Sequence, residues 1–411
     1  MNLKIVIIIC VLLKCIYSVV LNVVRLRSAN NPTPENLADV YDAETYQKWK
    51  RYSAEHNKLS IGSELVSTAA ILALLITNAY AAFASLFPEG IFWQLTATIL
   101  LSTAVGLALD TVDKYISTMI IEQKYGFNRS TVKTFIADRI RSLLLELVLS
   151  FALVGLMALL HIAVGDWLII LFALAVFLIS LLISFLYPIF SRLGNKFTPL
   201  EDGELKDKLM ALLQKYGYKV KAIEVMDASR RTTKLNAYFT GFGKMKTIVL
   251  YDNLLNAMTE DEICAIFAHE MGHGLNKDVL KAQILNMGNL LIMGVVVWLT
   301  LREPALYTDF GFTEINYGFA YVLIGVLLGL VQPITGILTN FRSRSAEYRA
   351  DRQAVTEGYG EAMTVALKKL AKDNFANLSP SKINVVLEYS HPPLDRRVEE
   401  VEKALAKMKE Q

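Results

Sequence analysis

The chain is short of cysteine, short of histidine, and carries almost no excess charge. Its three cysteines, Cys10, Cys15 and Cys264, are odd in number and sit mostly in apolar runs, which excludes a disulfide framework or a cysteine-held zinc ribbon. A net charge of +3, with no tract of like charges, gives no electrostatic footprint for nucleic acid. Internal repeats and low-complexity segments are also missing. Only five histidines are present, so the position of each can be weighed. What abounds is apolar surface: 54% of residues are hydrophobic and the mean hydropathy is +0.38. That is too greasy for an ordinary soluble enzyme and points to a multi-span membrane protein. Charged residues still make up 20%, so a substantial part must face water.

A helix rising about 1.5 Å per residue needs roughly 20 apolar residues to cross the hydrocarbon core. Seven segments qualify: 4–24, 64–87, 91–112, 143–164, 167–190, 279–300 and 317–339. The first has the charged start of a signal peptide, but apolar residues continue to Val24 and no small-x-small cleavage site follows, so it reads as a retained span. The first loop carries Arg25, Arg27, Lys48, Lys50, Arg51 and Lys58, and the third carries Lys114, Lys124, Arg129, Lys133, Arg139 and Arg141. The second and fourth, around "FPEG" and "VGDW", have no Lys or Arg, and the sixth has only Arg302. This asymmetry predicts cytoplasmic odd loops and an N-terminus on the opposite side. The expected units are spans one to five with their loops (1–190), a cytoplasmic catalytic loop (191–278), spans six and seven (279–339), and a cytoplasmic C-terminal part (340–411). The two large polar blocks must meet if they form one domain.

Within loop five, "EDGELKDKLMALLQKYG" (201–217) reads as an amphipathic helix, with acids in its first turn and a glycine at its end. "KAIEVMD" (221–227) and "KTIVLYD" (246–252) read as short strands. "TEDEICAIFAHEMGHGL" (259–275) is a helix whose Thr259 and Glu262 form a capping box. Helices are also expected over 342–357, 361–375 and 395–408.

The chemistry sits in "AIFAHEMGHGLNKD" (265–278). Residues four apart share a helix face, so His269 and His273 can close on one ion, while Glu270 reaches a metal-bound water without being a ligand. That is the zinc hydrolase arrangement: the metal acidifies the water and the glutamate takes its proton. The bland alternative is two helix histidines facing solvent; Gly272 and Gly274 argue against it, because small residues there suit a closely packed helix. A catalytic site needs a third ligand and an open position. "SRSAEYRADRQA" (343–354) offers Glu347 and Asp351, again four apart. Glu347 would bind the metal, and Asp351 would fix a histidine tautomer. Alternatively both carboxylates pair with Arg344, Arg349 or Arg352 on an exposed helix.

HEMGH, followed by E-x-x-x-D some seventy residues on and set among seven spans, resembles the type I CAAX prenyl protease family of integral-membrane zinc metalloproteases. The resemblance covers nearly the whole chain: "YDAETYQKWKRYSAEH" (41–56), "IIEQKYGFNRSTVKTFIAD" (120–138), "KLNAYFTGFG" (234–243) and "EYSHPPLDRR" (388–397) are similar to its other characteristic segments. It implies a mostly α fold of seven transmembrane helices around a large water-filled chamber. A cytoplasmic gluzincin-like zinc metalloprotease domain with a small β-sheet completes that fold. One Zn²⁺ per chain is implied, on His269, His273 and Glu347, with Glu270 as general base. The resemblance further implies that Asn236 bonds a peptide laid along its strand, that His391 stabilises the oxyanion, and that Arg397 lies near both. Unaided, Arg396 is as good a candidate as Arg397. Glu64, Asp110, Glu146, Asn286 and Asn289, inside apolar spans, fit a wet interior. Expected partners are peptide or protein substrates, prenylated or membrane-associated, and the bilayer, with no nucleic acid. The length, and an "AKMKEQ" terminus without a lysine-based retrieval signal, point to a bacterial inner-membrane member, with the endoplasmic reticulum as the alternative. Rival readings are a quality-control metalloprotease of the heat-shock type and, more remotely, a transporter or channel with structural zinc.

Overall fold

The computed structural model describes residues 2–240 and 247–410. The last three residues of the 234–243 segment and the first of 246–252 lie outside the described residues. The apolar runs become long helices: α1 (Leu3–Ser28), α2 (Ala43–Ile76), a short α3 (Ala79–Ala84) and α4 (Ile91–Lys114). α4 continues through a π-helical stretch, Tyr115–Glu122, into α5 (Gln123–Tyr125). α6 (Val132–Val164) and α7 (Leu168–Phe190) pack side by side across a tight turn at Gly165–Trp167. The polar block supplies β1 (Phe197–Pro199), α8 (Glu204–Lys215), β2 (Ala222–Met226), β3 (Ala237–Thr240), β4 (Thr247–Tyr251), α9 (Asp252–Ala257) and α10 (Glu260–Leu275). Then come α11 (Asp278–Arg302), α12 (Ala305–Thr308), α13 (Tyr317–Thr356), α14 (Gly360–Asp373), α15 (Lys382–Glu388) and α16 (Leu394–Lys409).

Among the described residues, six helical stretches are long and apolar enough to cross a bilayer. One of them, Val132–Leu186, contains both α6 and α7. Two expected boundaries move. The 64–87 segment is not one helix: α2 stops at Ile76 and Asn78 turns left-handed at φ 56, a conformation asparagine tolerates. Lys4 Nζ holds the break by donating to Ile76 O at 3.0 Å and Asn78 Oδ1 at 2.6 Å. The helix expected over 342–357 has no start of its own. α13 runs unbroken for 40 residues, with Pro333 inside it; the proline removes one backbone donor without ending the helix.

Among the described residues, four strands form a sheet in the order β1-β2-β4-β3. β2 pairs with β4 in parallel, and β1 and β3 are antiparallel edges. β4 is buried over its first four residues, as a central strand should be. Behind the sheet, Leu209, Leu213, Ile248, Leu250 and Phe267 form one core. A second core joins Leu37, Val40 and Trp49 to Ala265, Ala268, Ala354 and Val398. The two polar blocks therefore meet, and the 29–49 stretch, read with the membrane part, packs with them.

Among the helices α2, α4, α6, α7, α11 and α13 lies a cavity of about 1120 Å³. Glu64 and Asp110 line it, with Ser63, Ser67, Ser102 and Asp113; most of the remaining wall is apolar. Glu146, Asn286 and Asn289 are not part of its lining. α13 meets α4 at Gly318, where an added Cβ would fall 2.2 Å from Gln94 O. Because that neighbour is backbone, it cannot move aside. Gly318→Ala is expected to cost about 1–3 kcal/mol through overpacking, seen as a lower midpoint of thermal unfolding in detergent; an unchanged midpoint would show that the helices can part freely.

Candidate active site

α10 starts where its sequence says it should. Thr259 N donates to Glu262 Oε2 at 3.0 Å and Glu262 N to Thr259 Oγ1 at 3.4 Å, closing the capping box. The helix is buried nearly all round, with Ile263, Phe267 and Met271 on one core and Ala265 and Ala268 on the other. At Gly272 it touches α13: an added Cβ would lie 3.0 Å from Ala350 Cα. That close crossing brings the histidine face of α10 against Glu347.

Ligand atoms of His269, His273 and Glu347 all lie within 4.8 Å of one another. His269 Nε2 is 3.6 Å from Glu347 Oε2, and His273 Nε2 is 3.3 Å from Glu347 Oε1. Each imidazole is held from behind. Asp351 Oδ1 lies 2.8 Å from His269 Nδ1, and Asp278 Oδ2 lies 3.1 Å from His273 Nδ1. Both Nε2 atoms are thus aimed at Glu347 by carboxylates on Nδ1, the arrangement that orients histidine ligands.

Asp351 is fully buried, and Arg397 grips it with Nε at 2.9 Å and a terminal nitrogen at 2.6 Å. Another Arg397 nitrogen is 3.5 Å from Glu347 Oε2. Arg396 turns away, pairing with Glu399 at 2.9 Å. None of the arginines on α13 takes the two carboxylates. Arg344 donates to the carbonyls of Val385 and Tyr389, Arg349 to Asp278, and Arg352 faces Glu400.

His391 Nε2 is 3.4 Å from Glu347 Oε1, and its side chain remains 64% exposed. That leaves it able to meet a ligand. Asn236 is exposed at the start of β3, and its carbonyl accepts from Tyr251 N at 3.2 Å. β3 is the sheet's edge and contacts α10. Glu270 is half-buried beside this cluster. Burial pushes its carboxyl above the usual range, against the pull of His269 and His273. At His273 burial disfavours the cation, but the hydrogen bond and charge of Glu347 outweigh it and carry the imidazole up to about 9.

Sequence reasoning missed Asp278, and so offered Arg349 to Glu347 and Asp351 rather than to Asp278. Asp278 opens α11 directly after Lys277, which takes a left-handed φ of 55. That turn folds the acid back onto a histidine five positions earlier. An acid at the head of a span was the available signal; the turn at a lysine left none.

Residues 199–405 match the profile of Peptidase family M48. The chain belongs to the M48 peptidase family. Residues 22–192 match a second profile, described as "CAAX prenyl protease N-terminal, five membrane helices". The chain is 30% identical to CAAX prenyl protease 1 homolog of Arabidopsis thaliana, covering 94% of each. It is 29% identical to CAAX prenyl protease 1 of Saccharomyces cerevisiae, covering 89% of this chain and 87% of that one. Its fold is similar to the crystal structure of S. mikatae Ste24p, with a TM-score of 0.90 and 27% identity over 98% of this chain and 99% of that one. As an M48 peptidase with membrane helices, the chain is an integral-membrane metalloendopeptidase. These relatives are eukaryotic, and a bacterial inner-membrane location finds no support among them.

Asp278→Asn keeps the shape of the residue but removes the charge behind His273. Metal affinity is expected to fall about 10- to 100-fold, measured by competition with a chelating dye. Wild-type affinity would show that His273 orients itself without Asp278.

Proposed function

We propose that this M48 peptidase is a zinc endopeptidase of the CAAX prenyl protease type, cleaving prenylated, membrane-associated proteins near their C-termini. One observation carries the zinc assignment. Glu347 Oε2 is buried with no hydrogen-bond partner, Arg397 standing off from it at 3.5 Å, while two imidazole Nε2 atoms, each backed by a carboxylate, converge on the same side chain. A buried carboxylate oxygen without a hydrogen bond is costly unless a donor or a metal ion makes direct contact with it. Two histidines and one glutamate are a gluzincin-like donor set for one Zn²⁺, which supplies Lewis acidity and an acidified water when bound.

The chain's own residues do the rest. Glu270, made a stronger base by burial, accepts the proton of the attacking water and passes it to the leaving amine. His391, reaching the site from an exposed position, donates to the oxyanion. Asn236 and the edge strand β3 hold the peptide as an added strand. Asp351 fixes His269. Arg397 serves chiefly through Asp351, leaving the nitrogen near Glu347 as the one to meet a peptide.

The curated relatives named CAAX prenyl protease support a prenylated substrate. So does a largely apolar cavity among the helices, suited to a lipid tail. We read the helices as seven crossings around a water-filled chamber, with α6 and α7 as separate spans. The excess of Lys and Arg in loops one and three supports a cytoplasmic active site, and eukaryotic relatives favour the endoplasmic reticulum.

Glu270→Gln is expected to keep its zinc but lose about a hundredfold or more in turnover; full turnover would remove Glu270 from the chemistry. Mass spectrometry of products should show cleavage of a farnesylated CAAX peptide, abolished by chelator and restored by zinc. Preference for an unfolded membrane protein over that peptide would replace this substrate assignment with the quality-control reading.

A further inference from the structure

Away from the active site, the fold builds a pocket of about 400 Å³ where the head of α6, the residue after α7's end turn (Gly194) and the β2–β3 connection meet. Its lining holds five cations, Arg129, Lys133, Arg141, Arg230 and Arg231, against one carboxylate, Asp138. We propose that it binds the phosphate headgroup of an anionic lipid.

The cations are held in place as well as gathered. Arg230 and Arg231 both donate to Gly194 O, at 3.1 and 2.8 Å. Asp138 is shared by Arg231 at 2.5 Å and Arg141 at 3.2 Å. One acid thus serves two arginines, and Arg231 Nε stays buried without a hydrogen-bond partner. Among the described residues Arg129 and Lys133 have no ion-pair partner, so nothing in the fold accounts for their charge. Asp227, just outside the lining, also pairs with Arg230 at 3.6 Å, so five positive charges against two negative leave three uncompensated around a concave space. Like charges gathered this closely repel unless an anion joins them. Guanidinium forks around one space match the several oxygens of a phosphate better than the single plane of a carboxylate.

The neighbouring surface separates a lipid from a soluble phosphate compound. Val132, Ile136, Ile140 and Leu144 follow at successive turns of α6, 49%, 52%, 52% and 58% exposed. Lys133, Ala137 and Arg141, on the adjoining face, line the pocket. An acyl chain can run along the apolar stripe while its headgroup sits among the cations, the way basic pockets at membrane-helix ends take lipid headgroups. A soluble phosphate would leave that stripe unused.

The experiment uses the full chain reconstituted in phosphatidylcholine nanodiscs doped with phosphatidic acid, with retained lipid read by native mass spectrometry after extraction. The wild type should retain phosphatidic acid well above its share of the membrane. R129E/K133E should reduce that retention about tenfold or more, while the charge-matched K382E/K407E, at exposed lysines elsewhere, should leave it intact. Thermal unfolding checks that the variants fold, and R129Q/K133Q repeats the test without charge reversal. No enrichment in the wild type, or equal loss in K382E/K407E, overturns the site. Complete displacement of the lipid by inorganic phosphate or glycerol phosphate overturns the lipid assignment in favour of a soluble ligand.

Discussion

The site depends on how closely α10 approaches α13. The two helices meet through small residues: Gly272 against Ala350, with Ala265, Ala268 and Ala354 buried in the core beside them. With larger side chains there, interaxial distances drift toward the upper part of the usual 8–10 Å range, and Glu347 would leave the reach of both imidazoles. Packing thus brings the three candidate ligands together before any ion is bound. The 3.0 Å clearance at Gly272 marks the tolerance, since even a methyl group would press on the backbone of the facing helix.

Such packing encloses charges that would otherwise stay in water. Glu270, Glu347, Asp351 and Asp278 are four carboxylates; Arg397 and Arg349 are two guanidiniums. With both imidazoles neutral, as metal ligands must be, two negative charges remain, the deficit a divalent cation offsets. Unpaired buried charges cost several kcal/mol each, so this imbalance favours the metal-bound form. It also gives Arg397 a reason to be where it is: without its fork on Asp351, the carboxylate behind His269 would itself be an unpaired charge at zero exposure.

Much of this was legible where a local rule acts alone. The Thr259–Glu262 box placed the start of α10 to the residue, and the four-residue spacings in HEMGH and in Glu347–Asp351 put the right side chains on shared faces. Reading failed where a tertiary partner overrode a local signal. α2 breaks at Asn78 because Lys4, seventy-four positions earlier, reaches the freed groups. α13 ignores Pro333, and the join between span and polar tail, expected as a boundary, is continuous helix. The 29–49 stretch carried loop chemistry, yet Trp49 ends up buried against the tail. Asp278 went unseen because its meaning depends on a left-handed lysine that no composition rule foretells.

That continuity bears on why a water-using site stands at the foot of membrane helices. α13 lines the cavity with Tyr321 and Leu328 and carries Glu347 on the same rod, about 28 Å further along at the standard helical rise. α11 lines it with Met293 and Val297 and begins at Asp278, the acid behind His273. Two of the helices that shape the apolar cavity therefore also end in the charges that hold the site. A break between span and tail would have let the polar part drift relative to the membrane helices, and with it the distance between the cavity and the His269–His273–Glu347 cluster. Unbroken helices fix that distance, so for the lipid-tailed substrate proposed above, selection by the greasy end and cleavage at the polar end become one geometric requirement.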